Sequence, residues 1–219
     1  MKSIERPKSL TELVAEKLRE FIVSGELGLG EQLSEARISK ELEVSRTPVR
    51  EAFNRLEIEG LLRVVPQSGT FVFSLSSEEL AELCDARVYL ETAALELCMQ
   101  SNSEQLHKRL VTCVANMELA LSKNDISGYL MLDAAFHQCL FDCCQNRFLN
   151  EAYQSFAQKM SAIRSRIGGL PDHLSKSFRE HTEFAEIVKT GNLEKANELL
   201  LFHIDRREGS YWNTATLGA

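Results

Sequence analysis

Apolar residues at Leu10, Leu13, Val14, Leu18, Phe21 and Ile22 recur at spacings of three and four, which is one face of a helix. Ser9 can cap its start and Gly25 its end. After the glycine-rich turn "GELGLGEQL", Ser34 caps a short second helix carrying Ile38 and Leu42, and "EVS" breaks it before a third helix opens around Arg46. In that helix Val49, Phe53, Leu56 and Gly60 share one face, while Arg46, Arg50 and Asn54, four residues apart in turn, line another. Pro48 falls in its first turn, where the missing N–H costs little. "LLRVV" and "TFVF" then alternate as two short strands joined by "PQSG", a hairpin whose tip needs the backbone freedom of Gly69. Three helices followed by a hairpin predict a winged helix-turn-helix over residues 1–75.

From about Ser76 the strand pattern stops. The remainder reads as helical stretches punctuated at Ser101–Ser103, Lys123–Asp125, Gln145–Asn146, Gly168–Pro171 and Thr190–Asn192, an all-helical bundle of about six helices over residues 76–219. The predicted class is mostly α. The "SLSS" between the two parts is short enough that the domains are expected to be coupled.

The net charge of −7 argues against indiscriminate binding to polyanions, so any contact with nucleic acid must be local. Residues 1–75, with 11 Lys and Arg against 12 Asp and Glu, are merely less acidic than the rest. No apolar run approaches the roughly 18 residues of a membrane span and "MKSIERPKSL" has no apolar signal core, so the expected compartment is the cytoplasm, without membrane contact. The six cysteines include no CxxC pair and are expected to be reduced, packed thiols; Cys139 and Cys143 stay open as thiolate ligands.

A helix with arginines near its N-terminal end fits the major groove, where they can reach guanine O6 and N7 or phosphates, with the hairpin as a wing against the backbone. By spacing alone, Arg46 and Arg50 could equally pair with neighbouring glutamates such as Glu51 on a solvated face. The whole string "LSEARISKELEVSRTPVREAFNRLEIEGLL" followed by "SGTFV" closely resembles the N-terminal domain of the GntR family of bacterial transcription regulators, over residues 9–73. That resemblance implies Arg46 and Arg50 as the chief contacts to double-stranded operator DNA, assisted by Thr47 and Gly69. Ala36 stands where the family often has an arginine, leaving Arg37, one place later, as the helix-two contact; Glu43 replaces the usual turn glycine and implies a slightly different turn.

In the helical part, Tyr129, Leu132, Phe136 and Leu140 form an apolar stripe that also carries Asp133 and His137. A buried carboxylate needs a partner. His181 shares a face with Phe178, Ala185 and Val188, and His203 with Leu193, Ala196 and Leu200. Counted from the turn at Gly191, these two histidines differ in height by only about 3 Å along an antiparallel pair, at about 1.5 Å per residue. Three imidazoles and a carboxylate on inner faces can hold Zn²⁺, Ni²⁺ or Mn²⁺ with positions open for water or a ligand oxygen; alternatively each histidine is hydrogen-bonded separately in the core. His107 and His173, near helix ends, are expected to face solvent.

"DAAFH", "REHTEFAEIV" and "ANELLLFHI" resemble the FCD domain, the helical ligand-sensing domain of the FadR-type subfamily, over about residues 76–212. The resemblance implies that Asp133, His137, His181 and His203 bind a divalent metal that helps hold a small carboxylate effector. Arg87, on the stripe of Leu80, Leu83, Leu90, Ala94 and Leu97, either pairs with Glu91 or anchors that carboxylate, and Arg164, flanking Phe156 and Met160, is a second candidate. The expected function is a metabolite-responsive, homodimeric transcription regulator, most simply a repressor. Two alternatives stay open: a metalloenzyme acting on a small organic acid, and a DNA-binding regulator with a purely structural metal.

Overall fold

The computed structural model describes residues 8–167 and 171–204, and the chain divides into two compact units at Ser74 and Leu75. In the first unit, α1 (Leu10–Ser24) opens with a capping box: Ser9 Oγ accepts from the Glu12 N–H, and the Ser9 N–H donates to the Glu12 carboxylate. It ends at Gly25, whose φ of 91° is left-handed. Its buried stripe is Val14, Ala15, Leu18 and Ile22. Leu10 and Leu13, expected on that stripe, are 51% and 48% exposed. At about 100° of rotation per residue it is Ala15, not Leu13, that continues the line through Leu18 and Ile22.

A two-residue strand, β1 (Gln32–Leu33), precedes α2 (Glu35–Glu41), and α3 (Arg46–Ile58) follows the turn. Glu43 itself takes the left-handed conformation a glycine would adopt there, with φ 55°, so the turn expected to differ keeps the glycine geometry at the cost of side-chain strain. The hairpin consists of β2 (Leu62–Val65) and β3 (Gly69–Val72), paired antiparallel with Val65 opposite Gly69. At its tip the Ser68 N–H donates to the Val65 carbonyl at 3.0 Å, and Gln67 (φ 63°) and Gly69 (φ 123°) both have positive φ. β1 adds to the far edge of β3, giving the order β1-β3-β2; two residues are too few for an alternating pattern to announce them.

The second unit contains, among the described residues, only helices: α4 (Ser77–Ser101), α5 (Ser103–Ser122), α6 (Ile126–Cys143), α7 (Arg147–Ile167), α8 (Pro171–Thr190) and α9 (Leu193–Ile204). α6 packs against α4, α5 and α7, while α9 packs against α4 and α8, which closes the bundle around the inner faces of α6, α8 and α9. Tyr129, Phe136 and Leu140 of α6, Phe184 of α8 and Leu200 of α9 lie in the core. The α8–α9 turn uses Gly191 at φ 74°, and Asn192 Oδ1 accepts from the Lys195 N–H at 3.0 Å to start α9. Two expectations are corrected here. His107 lies in the second turn of α5 and His173 in the first turn of α8, and both are half-buried because their helices pack along those turns.

Candidate nucleic-acid interface and metal site

Burial of Val49, Ala52, Phe53 and Leu56 fixes the rotation of α3 and leaves Arg46, Thr47, Arg50 and Asn54 exposed on the other side. The first turn of α3 carries no acidic residue and its N-cap, Ser45, makes no side-chain cap hydrogen bond, so its leading N–H groups and dipole remain available to an anion. Arg46 forms no ion pair among the described residues. Arg50 pairs with Glu35 of α2, Nε to Oε1 at 3.1 Å, and not with Glu51, which accepts from Thr11 Oγ1 at 2.6 Å. Arg37 pairs with Glu31 at 2.8 Å and with Glu41 at 3.5 Å. These are exposed, solvent-screened pairs of small net value, so they park the arginines without committing them. At the hairpin tip, a Cβ on Gly69 would stand 2.8 Å from Gln32 Nε2, which donates to the Ser68 carbonyl.

In the helical unit, Asp133, His137, His181 and His203 converge, with one ligand atom from each lying within 4.8 Å of all the others. A single ion bonded at about 2.1 Å holds its ligands within about 4 Å of one another, so a contraction of under about 1 Å completes the set. Two carboxylates that the periodicity argument did not single out set the tautomers. Glu91 Oε2 accepts from His137 Nδ1 at 2.7 Å, and Glu180 Oε2 accepts from His203 Nδ1 at 2.8 Å. With each Nδ1 turned to a carboxylate, the Nε2 atoms of His137 and His203 face each other 3.3 Å apart. At that distance the two nitrogens need a shared proton or a cation between them, and 3.3 Å is the separation that two bonds of about 2.1 Å subtend at about 105°. His181 Nε2 is buried without a hydrogen-bond partner among the described residues, 3.6 Å from Asp133 Oδ1. The residues fit a divalent ion.

The electrostatics are consistent with that use. Burial, with the nearby imidazole of His203, depresses His181 to about 3, and burial together with Arg87 and Arg164 keeps His137 well below its ordinary value, so both rings are neutral and able to coordinate. Burial alone would raise Asp133, but Arg164, whose Nε lies 2.9 Å from Oδ2, outweighs it and keeps the carboxyl ionised. Arg87 donates to Glu91 at 2.5 Å and its Nη2 has no hydrogen-bond partner among the described residues. A cavity of about 10 Å³, room for about one water, lies beside the imidazoles and is lined by Phe136, Glu180, Phe184, Leu199, Leu200 and the three histidines; Arg87 and Arg164 are not on its wall.

Residues 10–72 match the family model of the bacterial regulatory proteins, gntR family, and residues 82–206 match that of the FCD domain. The chain belongs to the GntR family of bacterial regulatory proteins and carries an FCD domain. This regulator is 31% identical over 207 residues to the HTH-type transcriptional repressor RspR of Escherichia coli (strain K12), spanning 89% of this chain and 90% of that protein. It is 28% identical over 182 residues to the gluconate operon transcriptional repressor of Bacillus subtilis (strain 168), spanning 81% and 74%. Its fold is shared with a GntR transcriptional regulator from Rhodococcus sp. RHA1, at a TM-score of 0.80 and 24% identity over 95% of this chain and all of that one. These relatives are transcription regulators, which removes the metalloenzyme alternative.

Around the regulator's Asp–His cluster the sequence did carry a signal for the two extra carboxylates. Glu91 stands one turn from Arg87 on an otherwise apolar face, and Glu180 adjoins His181. Each was readable as a partner for an inward-facing imidazole.

Proposed function

We propose that this GntR-family regulator is a repressor, acting as a cytoplasmic homodimer on double-stranded operator DNA, and that its FCD domain holds a divalent ion through Asp133, His137, His181 and His203. Both relatives described above are named as repressors. In this reading Arg46, Thr47 and Arg50 of α3 read the major groove, Arg37 contacts the backbone beside them, and the Gly69 tip lies along the flanking groove. One recognition helix makes few base contacts, and a two-fold pair doubles them on a pseudo-palindromic site. The ion, Zn²⁺, Ni²⁺ or Mn²⁺, would supply a Lewis-acidic position for an oxygen of a small carboxylate. The chain's own part is to keep the imidazoles of His137 and His181 neutral, hold His137 and His203 through Glu91 and Glu180, and leave a small opening beside the rings for the ligand oxygen. Arg87, whose Nη2 has no hydrogen-bond partner among the described residues, and Arg164 supply positive charge behind the cluster.

The observation that carries this reading is the convergence of Asp133, His137, His181 and His203 within 4.8 Å, with the Nε2 atoms of His137 and His203 3.3 Å apart and each Nδ1 against a carboxylate. A thermal-shift screen of organic and sugar acids, gluconate among them, against zinc-loaded and chelator-stripped protein tests it. The expected result is a saturable rise in Tm with at least one acid, dependent on metal, followed by a change in operator affinity in a gel shift. A rise of equal size without metal would count against the metal-held carboxylate, and no effect on DNA binding would reduce the ion to a structural role.

A further inference from the structure

All six cysteines lie within the described residues and all are free thiols, but they are not equivalent. Cys98 donates to the Leu140 carbonyl at 3.1 Å and Cys144 to the Phe141 carbonyl at 3.3 Å, both deep in the core. Cys113, on α5, is the one cysteine that is not fully buried, and its sulfur touches Cys139 Sγ on α6 at 3.8 Å. The contact is fixed by the packing of the two antiparallel helices. One turn along the same interface, Arg109 of α5 reaches Asp142 of α6 at 2.7 Å, so register and rotation are held on both sides. The Cys139 S–H has two acceptors in reach, the Ala135 carbonyl at 3.2 Å and the Cys113 sulfur.

We propose that Cys113 and Cys139 form an oxidisable dithiol, a modification site at the α5–α6 interface that a hydroperoxide converts to a disulfide. Van der Waals contact between the sulfurs means that closure to a bond of about 2 Å needs side-chain rotation and a small helix adjustment rather than unfolding. The half-buried Cys113 meets the oxidant. Its sulfur attacks one peroxide oxygen, the O–O bond breaks, water leaves, and Cys113 becomes a sulfenic acid. Cys139 then attacks that sulfur, the S–O bond breaks, and the departing hydroxide takes the second thiol proton to leave as a second water. Two thiols lose two electrons and one hydrogen peroxide is reduced to two waters. The hydrogen bond from Cys139 and the Arg109 guanidinium one turn back, opposed by partial burial, lower Cys113 from its ordinary thiol value and favour the attacking thiolate. Cys139 stands two residues beyond His137 on the same helix, so the cross-link would tie α5 to the helix that carries Asp133 and His137.

The test uses the full chain, reduced and then treated with hydrogen peroxide, alkylated, and digested without reductant. Cleavage after Arg109, Lys123 and Arg147 places Cys113 alone on one peptide and Cys139 with Cys143 and Cys144 on another. The expected product is the cross-linked pair of peptides, with fragment ions locating the bond at Cys139, reversed by dithiothreitol. It should persist in Cys98→Ser and vanish in Cys113→Ser and in Cys139→Ala, each checked by circular dichroism for retained helix. Cys113 still fully alkylated after peroxide, or oxidised only to sulfinic or sulfonic acid, would overturn the proposal. So would a cross-link that survives in Cys139→Ala. Should Cys139→Ala fail to fold, the fragment ions from the wild-type cross-link decide alone, a bond at Cys143 or Cys144 overturning the proposal.

Discussion

Lowering the pH of chelator-stripped protein from 7.5 to 5 should destabilise the helical unit by an amount that the histidine environments set. Burial places His181 at about 3 and His137 well below its ordinary value, whereas both titrate near 6.5 in an unfolded chain. Between those limits the unfolded chain binds protons that the folded chain refuses, so stability is complete above about pH 6.5 and is lost as the pH falls. At pH 5 the His181 ring contributes a loss of about 2 kcal/mol, approached at about 1.4 kcal/mol per pH unit, and His137 adds a loss of the same sign. Against a typical total of about 5–15 kcal/mol this is a large fraction. Asp133 does not interfere, because Arg164 keeps it ionised through this window despite burial. The assay is urea unfolding of chelator-stripped protein, followed by far-ultraviolet circular dichroism, at several pH values between 7.5 and 5. His181→Phe, beside Phe136 at a ring-centroid distance of 4.2 Å in the wild type, should remove one ring's share of the slope. A urea midpoint unchanged between pH 7.5 and 5 would refute the claim that these imidazoles are held neutral.

Three further outcomes follow from specific contacts. Arg50→Ala should weaken operator binding in a gel shift by about 5- to 150-fold, as loss of a bidentate contact costs about 1–3 kcal/mol, with the fold intact because the side chain is exposed; wild-type affinity would contradict its role. Glu43→Gly should stabilise the winged unit by about 1 kcal/mol in urea unfolding by relieving the left-handed φ of 55°, and a loss of stability would show that the side chain makes a compensating interaction. Glu180→Ala should lower zinc affinity about 10- to 100-fold by isothermal titration, because His203 loses the partner that sets its tautomer; unchanged affinity would mean that Glu180 does not orient the ring.

The winged unit was legible because its signals are local. Ser9, Ser34 and Gly25 mark helix ends by their own chemistry, and the spacing of Val49, Phe53 and Leu56 fixes which way Arg46 and Arg50 point. β1 escaped because Gln32 and Leu33 are strand only by pairing with Phe71 and Thr70, a contact made across the fold. Leu13 misled because an apolar residue can satisfy a spacing of three and still rotate away from the buried line. In the helical unit, periodicity placed Asp133, His137, His181 and His203 on inner faces, and the Gly191 turn gave the relative height of the last two. What it could not give was the assignment of partners. Glu91 and Glu180 serve histidines 46 and 23 residues away, and Arg50 finds Glu35 on α2 rather than the adjacent Glu51. Those choices depend on packing between helices, which spacing along one helix does not encode.

Titration of chelator-stripped protein with zinc, read by calorimetry and by elemental analysis of the washed product, tests the metal reading most directly. Wild-type protein should take up one ion per chain and melt higher once loaded, and His203→Ala should retain its helix content but bind at least about 100-fold more weakly, having lost one of four ligands drawn from three helices. Wild-type protein that gains neither an ion nor stability with zinc, nickel or manganese, or His203→Ala with undiminished uptake, would contradict the account and return the four residues to ordinary core hydrogen bonding.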